Sequence, residues 1–346
     1  MIYSLLDDIF QHQNDQNIDL LDKIWLNSKG RHFLYINTNQ NFEVIKSSDW
    51  YCHLRRSSKD QIELDFVDSF NSGKKKNKLV ISNDNIGNNF SLLESFEILN
   101  KPLTIILENI EYDRYFIDSL ILNFKELSNE IKNHYDKGWL VYTNGGGNNI
   151  TNVINVMRDR FDKNKSDYPK DASVYLRTFI IIDSDKRFPS ENEVADDKKN
   201  LLTLIKTNSN YHITSNYHVT SKREMENYLP DEILSEISNN QEFKRAYLTL
   251  TSEQKDFFDI ENGLADKNFN DLEEGVKLLF GTVEEEYKKI FRKERLKFYK
   301  EDNKKDSFKA RFAKLFESKN ITRKNLEARA NTKELEIILQ KINNLL

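Results

Sequence analysis

Cysteine is almost absent from this chain of 346 residues, since Cys52 is the only one. A single cysteine excludes an internal disulfide framework and a cysteine-rich zinc site. The chain also lacks any apolar run of about 18 residues or more, the length that a membrane-spanning helix needs. The N-terminal residues MIYSLLDDIFQHQND contain neither a basic segment nor a small-residue cleavage site, so no signal peptide is expected. We therefore expect a cytoplasmic protein that makes no membrane contact.

Two nucleotide-binding motifs are missing as well. Neither G-x-x-x-x-G-K-[ST], the phosphate loop of many ATPases, nor G-x-G-x-x-G, the dinucleotide fingerprint, occurs in the sequence. The composition still supports a folded protein, because 22 Phe and 15 Tyr can fill a core. At about 150 residues per domain, the length corresponds to roughly two domains.

The net charge of -4 does not by itself predict binding to nucleic acid, but the charge is unevenly distributed. Residues 288–324 carry 15 Lys and Arg against 5 Asp and Glu, whereas residues 231–286 carry 15 acidic against 5 basic residues. Such a contrast indicates either a basic face that meets phosphate or a solvated helical surface, and the sequence leaves both open. Phe308, Phe312 and Phe316 recur every four residues in the basic segment, which is core spacing on a helix.

Three regions are predicted: a mixed α/β region at 1–100, an α/β domain at 101–235 and a helical region at 236–346. The first region is expected to begin with a helix. Short β-like runs follow it, at Phe33–Ile36, Phe42–Ile45, Gln61–Val67 and Lys78–Ser82. No motif indicates what the first and third regions do.

The middle region alternates between strand and helix patterns. Short apolar runs predict strands at Leu103–Leu107, Trp139–Thr143 and Thr178–Ile182, with a further β-like run at Tyr211–Val219. Apolar stripes predict helices over Phe116–Ile131 and Ile150–Phe161, and a polar helix is expected near Glu191–Lys206. This order predicts an α/β fold with an open, mostly parallel sheet flanked by helices. Ligands of such sheets bind beyond the carboxyl ends of the strands.

Acidic residues follow two of these strands. Glu108 comes directly after LTIIL, and Asp183-Ser184-Asp185 comes directly after TFIII. An extended backbone there would point both aspartates to one side and Ser184 to the other. Mg²⁺ prefers hard oxygen ligands, so the sequence predicts a metal site at this edge. The three glycines at 145–147, which precede a helix, would let backbone N–H groups approach a phosphate.

These segments together resemble the TOPRIM domain, which topoisomerases, bacterial primases and OLD-family nucleases share. The family has a strand ending in E-G-x-x-D/E, one ending in glycine and one ending in D-x-D. The matching segments here are PLTIILENIEYDRYF, VYTNGGGNNITNV and TFIIIDSDKRF. A fourth segment, HVTSKREMENYLP, is similar to the OLD-like branch, in which a basic turn leads into a helix with an acid before Asn-Tyr-Leu. The resemblance covers residues 100–235 and implies a TOPRIM-like parallel sheet.

The first motif departs from the family pattern at two places. Asn109 stands where the family has glycine, and asparagine tolerates a left-handed backbone better than most residues. The downstream acid is one residue late, because Asp113 follows Glu108 by five positions. We favour Asp113 as the family's second acid, with Glu111 as the alternative.

The resemblance implies a role for each matching residue. The ligands of Mg²⁺ or Mn²⁺ would be Glu108, Asp113, Asp183, Asp185 and Glu226. The catalytic residues would be Glu108, Asp183, Asp185 and Lys222. The nucleic-acid contacts would come from Gly145, Gly146, Gly147, Lys186, Arg187 and Arg223. Two metal ions about 4 Å apart would then activate a water and stabilise the leaving oxygen of a phosphodiester.

A metal-dependent endonuclease acting on DNA or RNA is therefore the first functional hypothesis. OLD-like proteins often act with an ABC-type ATPase in defence against phage, and since this chain lacks that motif, a separate ATPase or sensor partner is expected. Self-association is left open. The alternatives are a catalytically degenerate TOPRIM-like binding subunit and, less favoured, strand passage or priming. Purely structural interpretations are also open. The D-x-D segment can simply form a turn, and Glu224 and Glu226 can simply favour a helix N-terminus.

Overall fold

The computed structural model describes residues 1–11, 14–71, 78–84, 87–146, 149–191, 196–207, 216–237, 240–264, 269–292 and 308–346. Within this part the chain forms two parallel sheets. Their strands are β1 (Ile2–Leu5), β2 (Phe33–Leu34), β3 (Lys78–Ile81), β4 (Leu103–Leu107), β5 (Leu140–Asn144), β6 (Thr178–Ile182) and β7 (Tyr217–Val219). The strand orders are β2-β1-β3 and β5-β4-β6-β7. The predicted α/β class, with parallel strands flanked by helices, is confirmed.

Helices cover the sheets and make up most of the C-terminal region. In the first half they are Asp15–Ser28, Asn39–Ser47, Asp49–His53, Arg56–Asn71, Leu92–Asn100, Ile110–Asn123, Lys125–Asp136 and Ile150–Asp162. In the second half they are Asp196–Thr207, Gln241–Thr249, Ser252–Asp256, Glu274–Phe280, Glu285–Ile290, Phe308–Lys314, Arg323–Ala330 and Glu334–Leu345. No helix of the described part has both the length and the apolar character needed to cross a membrane.

The N-terminal region differs most from its prediction. It begins with strand β1 rather than a helix, and the runs 42–45 and 61–67, predicted as strands, are helical. Phe42 and Phe66 stack with their ring centroids 4.0 Å apart. These aromatic residues of two predicted strands thus pack two helices against each other. The strand predicted at Lys78–Ser82 is confirmed over Lys78–Ile81.

The middle region follows its prediction closely. The strands at Leu103–Leu107 and Thr178–Ile182 are confirmed residue for residue. The single helix predicted over Phe116–Ile131 is instead two helices that meet at Phe124, where the backbone leaves helical geometry at φ -103°, ψ 51°. Residues 211–215 of the last predicted strand lie outside the described residues, and Tyr217–Val219 is strand.

Each face of the central sheet belongs to a different hydrophobic core. Leu103, Ile105 and Leu107 point into a core that includes C-terminal residues such as Phe316. Ile106 points the other way, into a core shared with the N-terminal region. Both flanking regions therefore pack directly on the sheet, one on each side. The domain boundaries expected near residues 100 and 235 stay a prediction, and each core combines residues from both sides of one of them.

The basic segment 288–324 is described only in part. Residues 293–307 and the side chain of Phe308 lie outside the described part. Phe312 and Phe316 are buried, as their spacing predicts for core residues on a helix.

The central sheet has a switch point between β4 and β6. The chain leaves β4 for β5 on one side and then returns past β4 to form β6 on the other. Helix Ile110–Asn123 contributes to the core on one face, whereas Ile150–Asp162 contributes to the core on the opposite face. Crevices beyond the carboxyl ends of strands at such a point are the usual ligand sites of open parallel sheets. This observation directs attention to the residues that follow β4 and β6.

Candidate metal centre

Glu108 and Asp183 meet at this switch point. Each follows one of two hydrogen-bonded strands, so their backbones end side by side. The Asp183 backbone N–H donates to Glu108 Oε1 at 3.1 Å, and the Met225 backbone N–H donates to Asp183 Oδ1 at 3.0 Å. Asp183 is almost fully buried. The structure thus brings together two of the predicted metal ligands.

The backbone after Asp183 is a turn, not the extended segment that was predicted. Asp185 has a φ of +53°, in the left-handed region that L residues rarely adopt. Its N–H donates to the Arg223 carbonyl at 3.0 Å, and Ser184 Oγ donates to the Lys222 carbonyl at 2.7 Å. These two hydrogen bonds tie the D-x-D segment to the SKRE segment. The strict alternation expected for D-x-D is therefore wrong, although the partly exposed Asp185 stays at the strand end.

Asp113, rather than Glu111, lies at the site. Asp113 is buried, and its Oδ2 accepts the Asn109 backbone N–H at 2.8 Å, whereas Glu111 is exposed. Asn109 has a φ of -136°, so the left-handed backbone considered for it is not used. Instead Asn109 caps helix Ile110–Asn123 by accepting the Glu111 N–H at 3.0 Å. At the position where the TOPRIM motif has glycine, this chain therefore has a helix-capping asparagine.

Glu224 and Glu226 supply two further carboxylates from around the short helix Met225–Tyr228. Both are almost fully buried. Neither oxygen of Glu226 has a hydrogen-bond partner among the described residues. Glu226 was predicted as a metal ligand, whereas Glu224 was considered only as a helix-dipole residue. Its position two residues from Glu226 in the KREMENY run was the signal available.

Four carboxyl groups of this cluster, those of Asp113, Asp183, Glu224 and Glu226, have raised pKa values. Burial, followed by the charge of Glu108, raises the pKa of Asp183 to about 8. Burial raises the pKa values of Asp113 and Glu224 to about 7, and that of Glu226 to well above its usual range. Buried carboxylates destabilise one another, so they retain protons unless a cation compensates them. The cluster is therefore poised to accept positive charge.

Lys198, which no sequence motif indicated, supplies part of that positive charge. This buried lysine comes from helix Asp196–Thr207, between β6 and β7. Its Nζ lies 2.6 Å from Glu108 Oε1, pairs with Asp185 Oδ2 and donates to the Asp183 carbonyl at 2.8 Å. A lysine ammonium thus lies between two of the predicted metal ligands.

Lys309 supplies positive charge to two other carboxylates of the cluster, Glu224 and Glu226. It lies on helix Phe308–Lys314, and its Nζ is 3.6 Å from Glu224 Oε1 and 3.8 Å from Glu226 Oε2. Burial lowers the pKa of Lys309, but the surrounding carboxylates outweigh burial and hold it well above its usual value. The basic C-terminal segment therefore reaches the site through Lys309.

The residues fit a hard divalent cation in chemistry but not in their present arrangement. No group of three or more His, Cys, Asp or Glu side chains in the described ranges is positioned to bind a metal ion. Lys198 Nζ contacts one oxygen of Glu108 and one of Asp185, in the space between these two predicted ligands. The donors are nevertheless all carboxylate oxygens, which Mg²⁺ and Mn²⁺ prefer. The two unsatisfied oxygens of Glu226 are also what a cation would be expected to bind.

The glycines after β5 serve the fold rather than an open phosphate site. Gly145 is buried and its N–H already donates to the Leu107 carbonyl at 2.6 Å. A Cβ there would lie 2.3 Å from Ile150 Cγ1. Gly146 is exposed with a φ of +61°, and its N–H donates to Asn144 Oδ1 at 3.2 Å. The predicted phosphate contacts of Gly145 and Gly146 therefore lack available N–H groups, and Gly147 lies outside the described residues.

Lys222 is not brought to the carboxylate cluster. Its side chain is buried towards the C-terminal region, where it pairs with Asp256 and donates to the Arg329 carbonyl at 3.0 Å. Burial, followed by the charge of Arg329, lowers the pKa of Lys222 to about 8. The geometry gives no support to the predicted role of Lys222 beside a reacting phosphate.

The remaining predicted nucleic-acid contacts are largely engaged within the chain. Arg223 pairs with Asp259 at 2.7 Å. The exposed Arg187 pairs with Glu191 and, at 2.6 Å, with Glu273. Lys186 is partly buried next to Asp185. A phosphate would have to compete with these carboxylates for both arginines.

Comparison with known proteins adds no assignment, since no family model, curated protein or solved structure matches this chain. Fold and site together define an α/β protein with a buried carboxylate cluster at the switch point of a parallel sheet.

Proposed function

We propose that the chain is a divalent-metal-dependent endonuclease that hydrolyses phosphodiester bonds in DNA or RNA by TOPRIM-type chemistry. One observation carries the proposal. Glu108, Asp113, Asp183, Asp185 and Glu226, the five acids assigned to metal by the motifs, contribute to one cluster at the switch point. The clustering supports the resemblance, because these residues come from three separate segments.

The ligands would be oxygen atoms throughout. Glu108, Asp183 and Asp185 would hold one Mg²⁺ or Mn²⁺, and Asp113 and Glu226, joined by Glu224, would hold a second. Bound metal would supply an activated water and stabilise the leaving oxygen. The chain itself positions Asp183 through the Met225 N–H and fixes the D-x-D turn through the Arg223 carbonyl. Burial of the carboxylates lowers the local dielectric and strengthens their attraction for cations.

A second candidate is the catalytically degenerate nucleic-acid-binding or regulatory subunit. The observation that favours it is the pair of lysines, which compensates the carboxylates without any metal. In that case the site would be structural, and the protein would act through its surfaces.

The proposed partners are nucleic acid and a separate ATPase or sensor that restrains the nuclease in the cytoplasm until phage infection. The resemblance to OLD-like proteins motivates this part. Affinity purification of the tagged chain from its native host tests it. Repeated failure to recover any ATPase or sensor would contradict it.

Cleavage by the purified chain tests the central proposal. Plasmid DNA and total tRNA would be incubated with Mg²⁺, Mn²⁺ or EDTA, using the natural chain, Asp183→Asn and the exposed control Asp167→Asn. We expect metal-dependent cutting of one substrate that is lost only in Asp183→Asn. Cutting in EDTA, or equal cutting by both variants, would contradict the proposal. Metal binding without cutting would favour the degenerate subunit.

A further inference from the structure

Lys198 occupies a cation position in the candidate metal centre. Its ammonium group contacts Glu108 Oε1 at 2.6 Å, Asp185 Oδ2 and the Asp183 carbonyl at 2.8 Å. An ammonium group has three donor hydrogens and no acceptor, so oxygen atoms surround it much as they would surround a metal ion. The side chain is only 7% exposed, which places it inside the site rather than over its mouth.

A divalent ion and this ammonium cannot share the position. Mg²⁺ binds carboxylate oxygens at about 2.0–2.1 Å, so an ion held by the same oxygens of Glu108 and Asp185 that Lys198 Nζ contacts would compete with the ammonium group for this space. Even a slightly displaced ion would sit within a few ångströms of a positive charge in a buried site, where repulsion is strong. Binding between these two carboxylates therefore requires Lys198 to leave.

We propose that Lys198 is a built-in competitor of the metal ion, an internal cation that holds the site inactive until a divalent ion displaces its ammonium group. This inference rests on the proposed metal-dependent function. It differs from a purely structural ion pair, in which Lys198 would pre-arrange the carboxylates and its loss would weaken metal binding. The two possibilities predict opposite changes in metal affinity.

Calorimetric titration with Mn²⁺ separates them without any cleavage assay. The metal-free full chain would be compared with Lys198→Met, which keeps most of the side-chain volume, and Lys198→Gln, which keeps a hydrogen-bond donor. Lys199→Met is the matched control, since it removes the same charge from the next residue of the same helix. Circular dichroism would first establish that each variant is folded.

We expect both Lys198 variants to bind Mn²⁺ about tenfold or more tightly than the natural chain, with Lys199→Met unchanged. Thermal melting gives a second readout, because a ligand that binds only the folded state raises Tm according to its affinity. Manganese should therefore raise the Tm of Lys198→Met more than that of the natural chain. Mn²⁺ binding that is measurable in Lys198→Met but not in the natural chain would also support the proposal.

Equal or weaker Mn²⁺ binding by the folded Lys198 variants would overturn the competitor role and leave the metal-dependent function standing. Absence of binding in every variant would overturn the metal centre itself, and the competitor role with it. If Mn²⁺ binds tightly to Lys198→Met but no variant cleaves nucleic acid, the competitor role holds and the nuclease assignment fails.

Discussion

Lys309 Nζ lies 3.8 Å from Glu226 Oε2, which links the basic C-terminal segment to the carboxylate cluster at the sheet. The contact joins a helix of the C-terminal region to the short helix Met225–Tyr228. Neither oxygen of Glu226 has a hydrogen bond within the described residues, so this lysine is its main described source of compensation. The C-terminal region therefore contributes to the electrostatics of the site as well as to a hydrophobic core.

Replacing Lys309 with methionine should destabilise the metal-free protein. Removing one partner of a buried ion pair costs about 3 kcal/mol, because the remaining charge stays buried without compensation. We expect this loss at pH 8, where Glu224, with a pKa of about 7, is mostly ionised, and a smaller one at pH 5, where Glu224 is protonated. Urea denaturation at both pH values measures it. Lys314→Met, an exposed lysine on the same helix, should cost little at either pH. An equal loss in the two variants would show that the helix, not the charge, is responsible.

The metal-free protein should become less stable as the pH rises from about 5 to 8. Asp113 and Glu224 have folded pKa values of about 7, and Asp183 of about 8, above their ordinary values. In this window the folded state binds more protons than the unfolded chain, so the free energy of unfolding falls with increasing pH. Urea denaturation in EDTA at several pH values checks the slope. Asp183→Asn should flatten it, and a stability that rises across the window would contradict the assignment.

Strands β4 and β6 of the central sheet could be predicted because their residues are buried on both faces of the sheet, apart from the half-buried Thr104. Leu103–Leu107 and Thr178–Ile182 each have four apolar residues out of five, a pattern typical of parallel strands covered by helices. The N-terminal region gave no such pattern. Phe42 and Phe66 lie in short runs of mixed polarity that fit both helix and strand periodicity. Only the packing between the two segments decides that both form helices.

The acids of the site could be predicted because each lies at or near a strand end or in a motif. The presence of Lys198 and Lys309 in the site could not be predicted. Lys198 is one of many lysines in polar helical sequence, and its role depends on how its helix returns over the sheet. Lys309 reaches the cluster from a segment that is distant in the chain. Long-range placement of this kind leaves no local pattern in the sequence.

Gly145→Ala should destabilise the fold, because the tight turn after β5 leaves no room for a side chain. The added Cβ would lie 2.3 Å from Ile150 Cγ1 and 2.8 Å from the Leu107 carbonyl oxygen. Overpacking of this kind costs about 1–3 kcal/mol. Combining the change with Ile150→Ala should not restore full stability, because the backbone clash remains.

Gly146→Ala is the matched control for that experiment. Its φ of +61° makes alanine strained by about 1–2 kcal/mol, but its nearest described neighbours lie at 3.5 Å or more. Chemical denaturation of the variants measures both costs. If Gly145→Ala were neutral for stability but reduced nucleic-acid binding, the phosphate role predicted for this glycine would be restored.

The Lys222→Met variant tests whether Lys222, in the SKRE segment, has a structural or a catalytic role. Lys222 pairs with Asp256, which Arg329 also contacts, so the carboxylate keeps one cation when the lysine is removed. We therefore expect a moderate loss of stability of about 1–3 kcal/mol. Metal-dependent cleavage per folded molecule should stay within about threefold of the natural chain, a change in barrier below about 1 kcal/mol. Asp183→Asn, assayed in parallel, should lose cleavage while remaining folded. A large loss of cleavage in folded Lys222→Met would mean that this lysine turns towards the reacting phosphate when substrate binds, as the resemblance to the TOPRIM domain implies.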